Sequence, residues 1–120
     1  MNRQEIEGFI ENEFGVLPEH LWAAFPDYAV FRNPRNKKWF GLIGDVEKSK
    51  LGLEGSGKAD ILVLRCDPIL IGSLVHNPGY LPAYHMNRKN WLSVRLDGTA
   101  PPEQVMDLIH LAYEIIAKSK

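Results

Sequence analysis

The residues of this 120-residue chain best suited to chemistry are cations and hydrogen-bonding side chains gathered in two short stretches. One is His85-Met86-Asn87-Arg88-Lys89-Asn90-Trp91, and the other runs from Arg32 through Arg35 and Lys37 to Lys38. Arg and Lys at a projecting tip suit phosphate oxygens, and Asn or Arg can read base edges. The expected nucleic-acid contacts are therefore Arg32, Arg35, Lys37, Lys38, Asn87, Arg88, Lys89 and Asn90. In that reading Arg35, Lys37, Lys38, Arg88 and Lys89 touch phosphates, while Asn87, Asn90 and Trp91 sit nearest the bases. Tyr84, Trp39 and Trp91 lie beside the same stretches and would stack on bases where exposed. The competing reading makes Trp39 and Trp91 core anchors and the cations ordinary solvated loop residues. A second chemistry is a small-molecule or peptide groove lined by Tyr84, His85 and Trp91. Met86 would join that lining or fill a gap in the core.

Catalysis has less to stand on. His20, His76 and His110 fall on separate predicted elements, which leaves His85 as the one histidine in a motif-like setting. No HExxH, CxxC, GxSxG, Walker A or GxGxxG pattern is present, so no metal, cofactor or catalytic group is expected. Gly52, Gly55 and Gly57 have the wrong spacing for a phosphate loop, and Asp60 and Asp67 make no evident acid–base pair. Cys66 precedes a predicted helix N-terminus, which could lower its thiol pKa. The alternative is a small buried hydrophobe.

Composition bounds the rest. Hydrophobic residues make up 45% and charged residues 24%, the balance of a globular chain, and the length fits one domain over residues 1–120. One cysteine cannot form an internal bridge, Met1 to Glu13 has no apolar signal-like core, and no run of about 18 apolar residues appears. The cytoplasm is the expected compartment. The net charge of −1 conceals a pattern. Residues 1–31 hold one base against six acids, residues 32–95 eleven against five, and residues 96–120 two against four. A basic centre between acidic ends can attract an anion, although a pI near 6.4 is low for a dedicated nucleic-acid domain.

Several elements must position these residues. Ile6, Phe9 and Ile10 predict a helix over Arg3 to Phe14, capped by Gly15. The stretch Leu17 to Asp27 holds two prolines and reads as a connection with at most a helical turn at His20 to Ala24. Strands are expected at Tyr28 to Phe31 and Lys38 to Gly44, joined by a polar turn, and at Ala59 to Arg65. Glu47 to Lys58 is a loop, or a loop around an edge strand at Lys50 to Leu53. Asp67-Pro68 starts a helix that ends at Asn77-Pro78-Gly79. Strands at Leu81 to His85 and Trp91 to Leu96 follow. Pro101 and Pro102 open a last helix carrying Val105, Leu108, Ile109, Ala112 and Ile116 on one stripe, with Lys118 and Lys120 at its negative end. The order predicts an α+β fold: a mainly antiparallel sheet of about five strands with helices on one face.

Several segments together resemble the MmcQ/YjbR family of small bacterial domains. They are Pro26-Asp27-Tyr28-Ala29-Val30-Phe31-Arg32, Lys38-Trp39-Phe40, Ser49-Lys50-Leu51-Gly52-Leu53, Cys66-Asp67-Pro68, Pro82-Ala83-Tyr84-His85-Met86-Asn87, Trp91 and Leu96-Asp97-Gly98. They keep their order over nearly the whole chain. The resemblance implies a fold related to secretion-chaperone-like and frataxin-like arrangements. It also implies DNA as the partner, held by a "double wing" of two hairpin loops, a label that fold alone does not fix. Relatives tend to carry Lys where this chain has Arg88, which preserves charge but changes the geometry of a phosphate contact.

Overall fold

Asn2 opens the first helix with a reciprocal cap. Its side chain accepts the Glu5 N–H at 2.9 Å, and the Glu5 carboxylate accepts the Asn2 N–H at 2.9 Å. The helix, α1, spans Arg3–Phe14 and ends where Gly15 takes a left-handed φ of 66° that costs glycine nothing. The structure is a computed structural model, and it describes residues 1–119; the Lys120 of the expected helix-end pair lies outside them.

Five strands follow: β1 (Ala29–Arg32), β2 (Trp39–Glu47), β3 (Lys58–Arg65), β4 (Tyr80–Pro82) and β5 (Trp91–Arg95). Helix α2 (Pro68–Leu74) lies between β3 and β4, and α3 (Pro102–Ala117) closes the chain. The strands form one sheet in the order β1-β2-β3-β5-β4, and every neighbouring pair is antiparallel. Asp67 caps α2 as expected, accepting the Ile69 N–H at 2.9 Å, with Pro68 in the first turn.

Period-two alternation gives the sheet two buried faces. Phe31, Ile43, Leu62, Leu64, Leu92 and Val94 pack beneath the helices with Ile6, Ile10, Leu108 and Ile109. Val30, Leu42, Val46, Ile61, Val63 and Trp91 face the other way. All three α-helices lie on the first face; over the second pack Trp22, Tyr28, Leu51, Tyr84 and Met86 from the connecting segments.

Three local expectations are revised or extended. The connection before β1 turns at Trp22 to Phe25, as allowed, and adds a bridge not expected, with Glu19 and Val30 exchanging backbone hydrogen bonds of 2.9 and 3.0 Å. The segment after β2 forms a 3-10 helix at Lys48–Leu51 rather than an edge strand, stopped by Gly52 at φ 73°. Strand β4 ends at Pro82, which has no N–H for a further ladder bond. The expected strand residues Ala83 to His85 belong to a loop instead. No helix among the described residues is long and apolar enough to cross a membrane.

Candidate functional site: an aromatic chamber flanked by two basic loops

The face of the sheet away from the α-helices carries a chamber of about 400 Å³, walled mainly by Trp22, Phe25, Tyr28, Trp39, Tyr84 and His85. Four local devices place these side chains. The first is a β-bulge. Phe31 pairs with Gly41 but Arg32 pairs with Trp39, so Phe40 is an extra residue on β2. Phe40 therefore packs into the helix-side core, while Trp39 turns to the same face as Leu42. An unbroken alternation would have put Trp39 on the helix side with Gly41 and Ile43.

The second device is a missing side chain. A Cβ on Gly44 would sit 3.0–3.1 Å from the Tyr28 ring, so glycine lets that ring lie against the strand. Burial raises the Tyr28 hydroxyl pKa, with Tyr84 and Asp45 adding to the effect. The third device is Ser93, wholly buried on β5, whose Oγ accepts the Tyr84 N–H at 3.1 Å. The fourth is His85, held at a left-handed φ of 62°. An extended chain sends successive side chains to opposite sides; the turn at His85 lets Tyr84, His85 and Met86 all border the chamber. A left-handed non-glycine residue costs on the order of 1 kcal/mol, and such strain clusters at functional sites.

Trp22 and Phe25 come from the connection before β1. His20 Nδ1 lies 3.0 Å from the Pro26 carbonyl, and the Arg3 guanidinium donates to the Asp27 carbonyl, fixing that segment over the sheet. Trp22 meets Trp39 and Tyr28 edge-on, at interplanar angles of 88° and 84°. Phe25 is tilted 43° to Tyr28 and stands 57% exposed at the rim.

Of the small-molecule trio, Tyr84 and His85 line this chamber and Trp91 does not. Trp91 is 9% exposed and belongs to the packed layer of that face, the core-anchor alternative. Trp39 is half-buried and lines the chamber. A peptide adding to a sheet edge finds little room, because Glu19 pairs outside β1 and β4 is three residues ending in proline.

The register brings the two basic loops to one end of the sheet. Gly41 pairs with Leu64 and Arg65 with Trp91, so the starts of β2 and β5 and the end of β3 lie together. Both loops are built on the same turn. Asn33 Oδ1 accepts the Arg35 N–H at 2.9 Å, and Asn87 Oδ1 accepts the Lys89 N–H at 2.7 Å. Several expected contacts are occupied structurally. Arg32 Nε is 3.1 Å from a Glu19 carboxylate oxygen, and its guanidinium carbon lies 6.0 Å from the Trp39 ring centre. Arg35 donates to the Ala117 carbonyl, Asn36 Nδ2 donates to the Ile116 carbonyl at 2.8 Å, and Lys38 Nζ donates to Ser119 Oγ at 2.6 Å. This loop therefore caps the negative end of α3. Asn90 ties its own loop down, its carbonyl accepting from Cys66 N–H at 2.8 Å and Arg65 Nη1 at 3.0 Å. Lys37, Asn87, Arg88 and Lys89 are exposed.

Cys66 is buried, and burial pushes its thiol up to about 11, against the lowering effects of the Asp67 backbone and the Arg65 charge. The small-hydrophobe alternative holds. Sequence reasoning missed Trp22, Phe25, Tyr28 and Lys50 as members of one site. The visible signal was an aromatic run, Trp22, Phe25 and Tyr28, leading from a proline-bearing connection into the first predicted strand.

Comparison with known proteins places this architecture. The Bacillus subtilis protein YyaQ is 36% identical over 115 residues, covering 96% of this chain and 98% of that protein. A crystal structure from Pseudomonas syringae shares 38% identity, with a TM-score of 0.94, over 97% of this chain and 99% of that one. The Deinococcus radiodurans protein DR2400, at 21% identity, has the same fold, with a TM-score of 0.76 over 98% of this chain and 80% of its own. The family model YjbR matches residues 14–115, and the chain belongs to the YjbR family.

Proposed function

We propose that this protein is a binding domain whose ligand is a small aromatic molecule held in the chamber on the sheet face away from the α-helices. One observation carries the reading: Trp22, Phe25, Tyr28, Trp39 and Tyr84 border one solvent-open space of about 400 Å³ that their own packing leaves unfilled. Pockets for small organic ligands have this size and this lining, largely apolar with a few polar groups. Large aromatic side chains serving stability alone gain most by burying completely. Here Phe25 remains mostly exposed and Trp22 and Trp39 are half-buried. Among the described residues the chamber lining sets no carboxylate beside His85, its one histidine, and this favours binding over turnover there.

The indole N–H signals of the three tryptophans give a direct test by NMR. Titration with uncharged 2-naphthol should shift the Trp22 and Trp39 signals and leave Trp91 in place. Trp39→Ala should weaken that binding by removing one wall. Unmoved Trp22 and Trp39 signals at millimolar probe would end the reading.

Nucleic-acid binding is the second reading, and the shared sheet end of the two loops is what favours it. In the two loops, Lys37, Arg88 and Lys89 are the exposed cations whose side chains make no ion pair or hydrogen bond among the described residues. Three phosphate contacts to duplex DNA predict a log–log salt slope of about −3. Titrating labelled duplex and single-stranded DNA at several salt concentrations tests it, and no binding at low salt removes it.

A further inference from the structure

The polar groups in the chamber walls are biased toward donation. Trp22 and Trp39 each bring an indole N–H, which can only donate, and Lys50 brings an ammonium with three donors. The Tyr28 and Tyr84 hydroxyls and the His85 ring can donate or accept. No Asp, Glu, Asn or Gln lines the space. Among the described residues, neither indole N–H nor the Lys50 ammonium donates a hydrogen bond within the protein. A ligand that satisfies these walls must supply acceptors, and it meets one full positive charge.

From this donor set we infer that the ligand is a planar aromatic anion, its ring against Trp22, Trp39 and Tyr84 and its carboxylate on Lys50. The inference rests on the aromatic-ligand reading above and adds the sign and place of the charge. Lys50 is well placed for it. It stands on the 3-10 helix Lys48–Leu51 and borders both the aromatic chamber and an adjoining polar annex of about 180 Å³. Acidic groups begin only in that annex, with Asp27, Asp45 and Glu47. Asp45 lies 3.7 Å from Lys58 Nζ, and Asp27 and Glu47 are exposed, where water and salt screen them. Beside Trp39 the Arg32 guanidinium is paired with the Glu19 carboxylate, so little net charge stands there. A cationic ligand would gain from the aromatic faces but would have to meet Lys50.

Three probes of one shape separate the charge from the ring: 2-naphthoate, 2-naphthol and 2-naphthylmethylammonium, each titrated against the indole N–H signals. The naphthoate should bind about fivefold more tightly than the naphthol, the scale of one solvent-exposed ion pair. Added salt should shrink that advantage, and Lys50→Met should abolish it. Lys50 is exposed, so the variant keeps the fold. Equal binding of naphthoate and naphthol, tightest binding of the ammonium, or a naphthoate advantage that survives Lys50→Met overturns the inference and leaves the aromatic-ligand reading standing. Failure of all three probes to move Trp22 and Trp39 overturns both.

Discussion

Gly44→Ala tests whether the chamber floor is set by the space that a single glycine leaves. Gly44 does not have a positive φ, so the usual conformational argument for glycine does not apply. A methyl group there would lie 3.0 Å from Tyr28 Cδ1 and 3.1 Å from Cε1 and Cγ. Overpacking costs about 1–3 kcal/mol, and the lower end applies because Tyr28 is half-buried and precedes β1. Gly41 on the same strand is the control: its added Cβ would meet Leu64 and Phe31 side chains at 3.4 and 3.5 Å, close to ordinary contact. Replacing glycine by alanine in a strand otherwise gains about 0.5–1 kcal/mol. That gain applies at both positions and cancels, so the two variants should differ by about 1 kcal/mol, or on the order of 4 °C in Tm for a domain of this size. Thermal unfolding by circular dichroism measures the gap, and 2-naphthol titration should show weaker binding only in Gly44→Ala. In a Tyr28→Ala background the added methyl should become neutral or stabilising, because its obstacle is gone. Gly44→Ala matching Gly41→Ala in both Tm and probe affinity would refute the steric account.

Three further outcomes are expected. Asn36→Ala removes the 2.8 Å bond to the Ile116 carbonyl and should destabilise the protein by about 1 kcal/mol in urea unfolding while leaving any DNA salt slope unchanged; a shallower slope would make Asn36 part of the interface. Cys66, with its thiol near 11, should react with a disulfide reagent at pH 8 only as fast as the protein unfolds, and rapid labelling of the native state would contradict its burial. Burial raises the Asp97 carboxyl pKa, but hydrogen bonds from Thr99 and the Arg95 guanidinium at 2.6 Å outweigh it and hold the carboxyl below its ordinary value. A lowered folded-state pKa stabilises above the unfolded value and is lost as pH falls through the folded one, so Asp97→Asn should lower Tm at pH 7 and converge with the parent below about pH 4; a pH-independent gap would refute that.

What the sequence made legible was local. The stripe from Val105 to Ile116, the Asp67-Pro68 cap and the nearly continuous apolar run of β3 each announce an element, because helix periodicity, capping and burial act over a few residues. Even the family resemblance is carried by short segments in order. The loops were legible as basic but not as occupied. That Arg35 and Asn36 cap α3 is a contact across about eighty residues of chain, and no spacing rule reports it.

The chamber was illegible for a sharper reason, since each of its parts breaks a local rule for a distant cause. The alternation of Trp39-Phe40-Gly41-Leu42 cannot show that Phe40 is a bulge, because the extra residue exists only against the register of β1. Gly44 looks like a weak point in a strand until the Tyr28 ring is laid on it. His85 drew notice as a titratable group, yet its left-handed backbone is what turns Tyr84 and Met86 toward one cavity. Ser93 is a buried hydroxyl whose use appears only with the Tyr84 N–H above it. Where several such departures converge on one space, each defect costs something in stability and none is required by the sheet itself. Such convergence is expected of a site shaped to hold something, and it is the physical ground for proposing the aromatic face ahead of the basic tips.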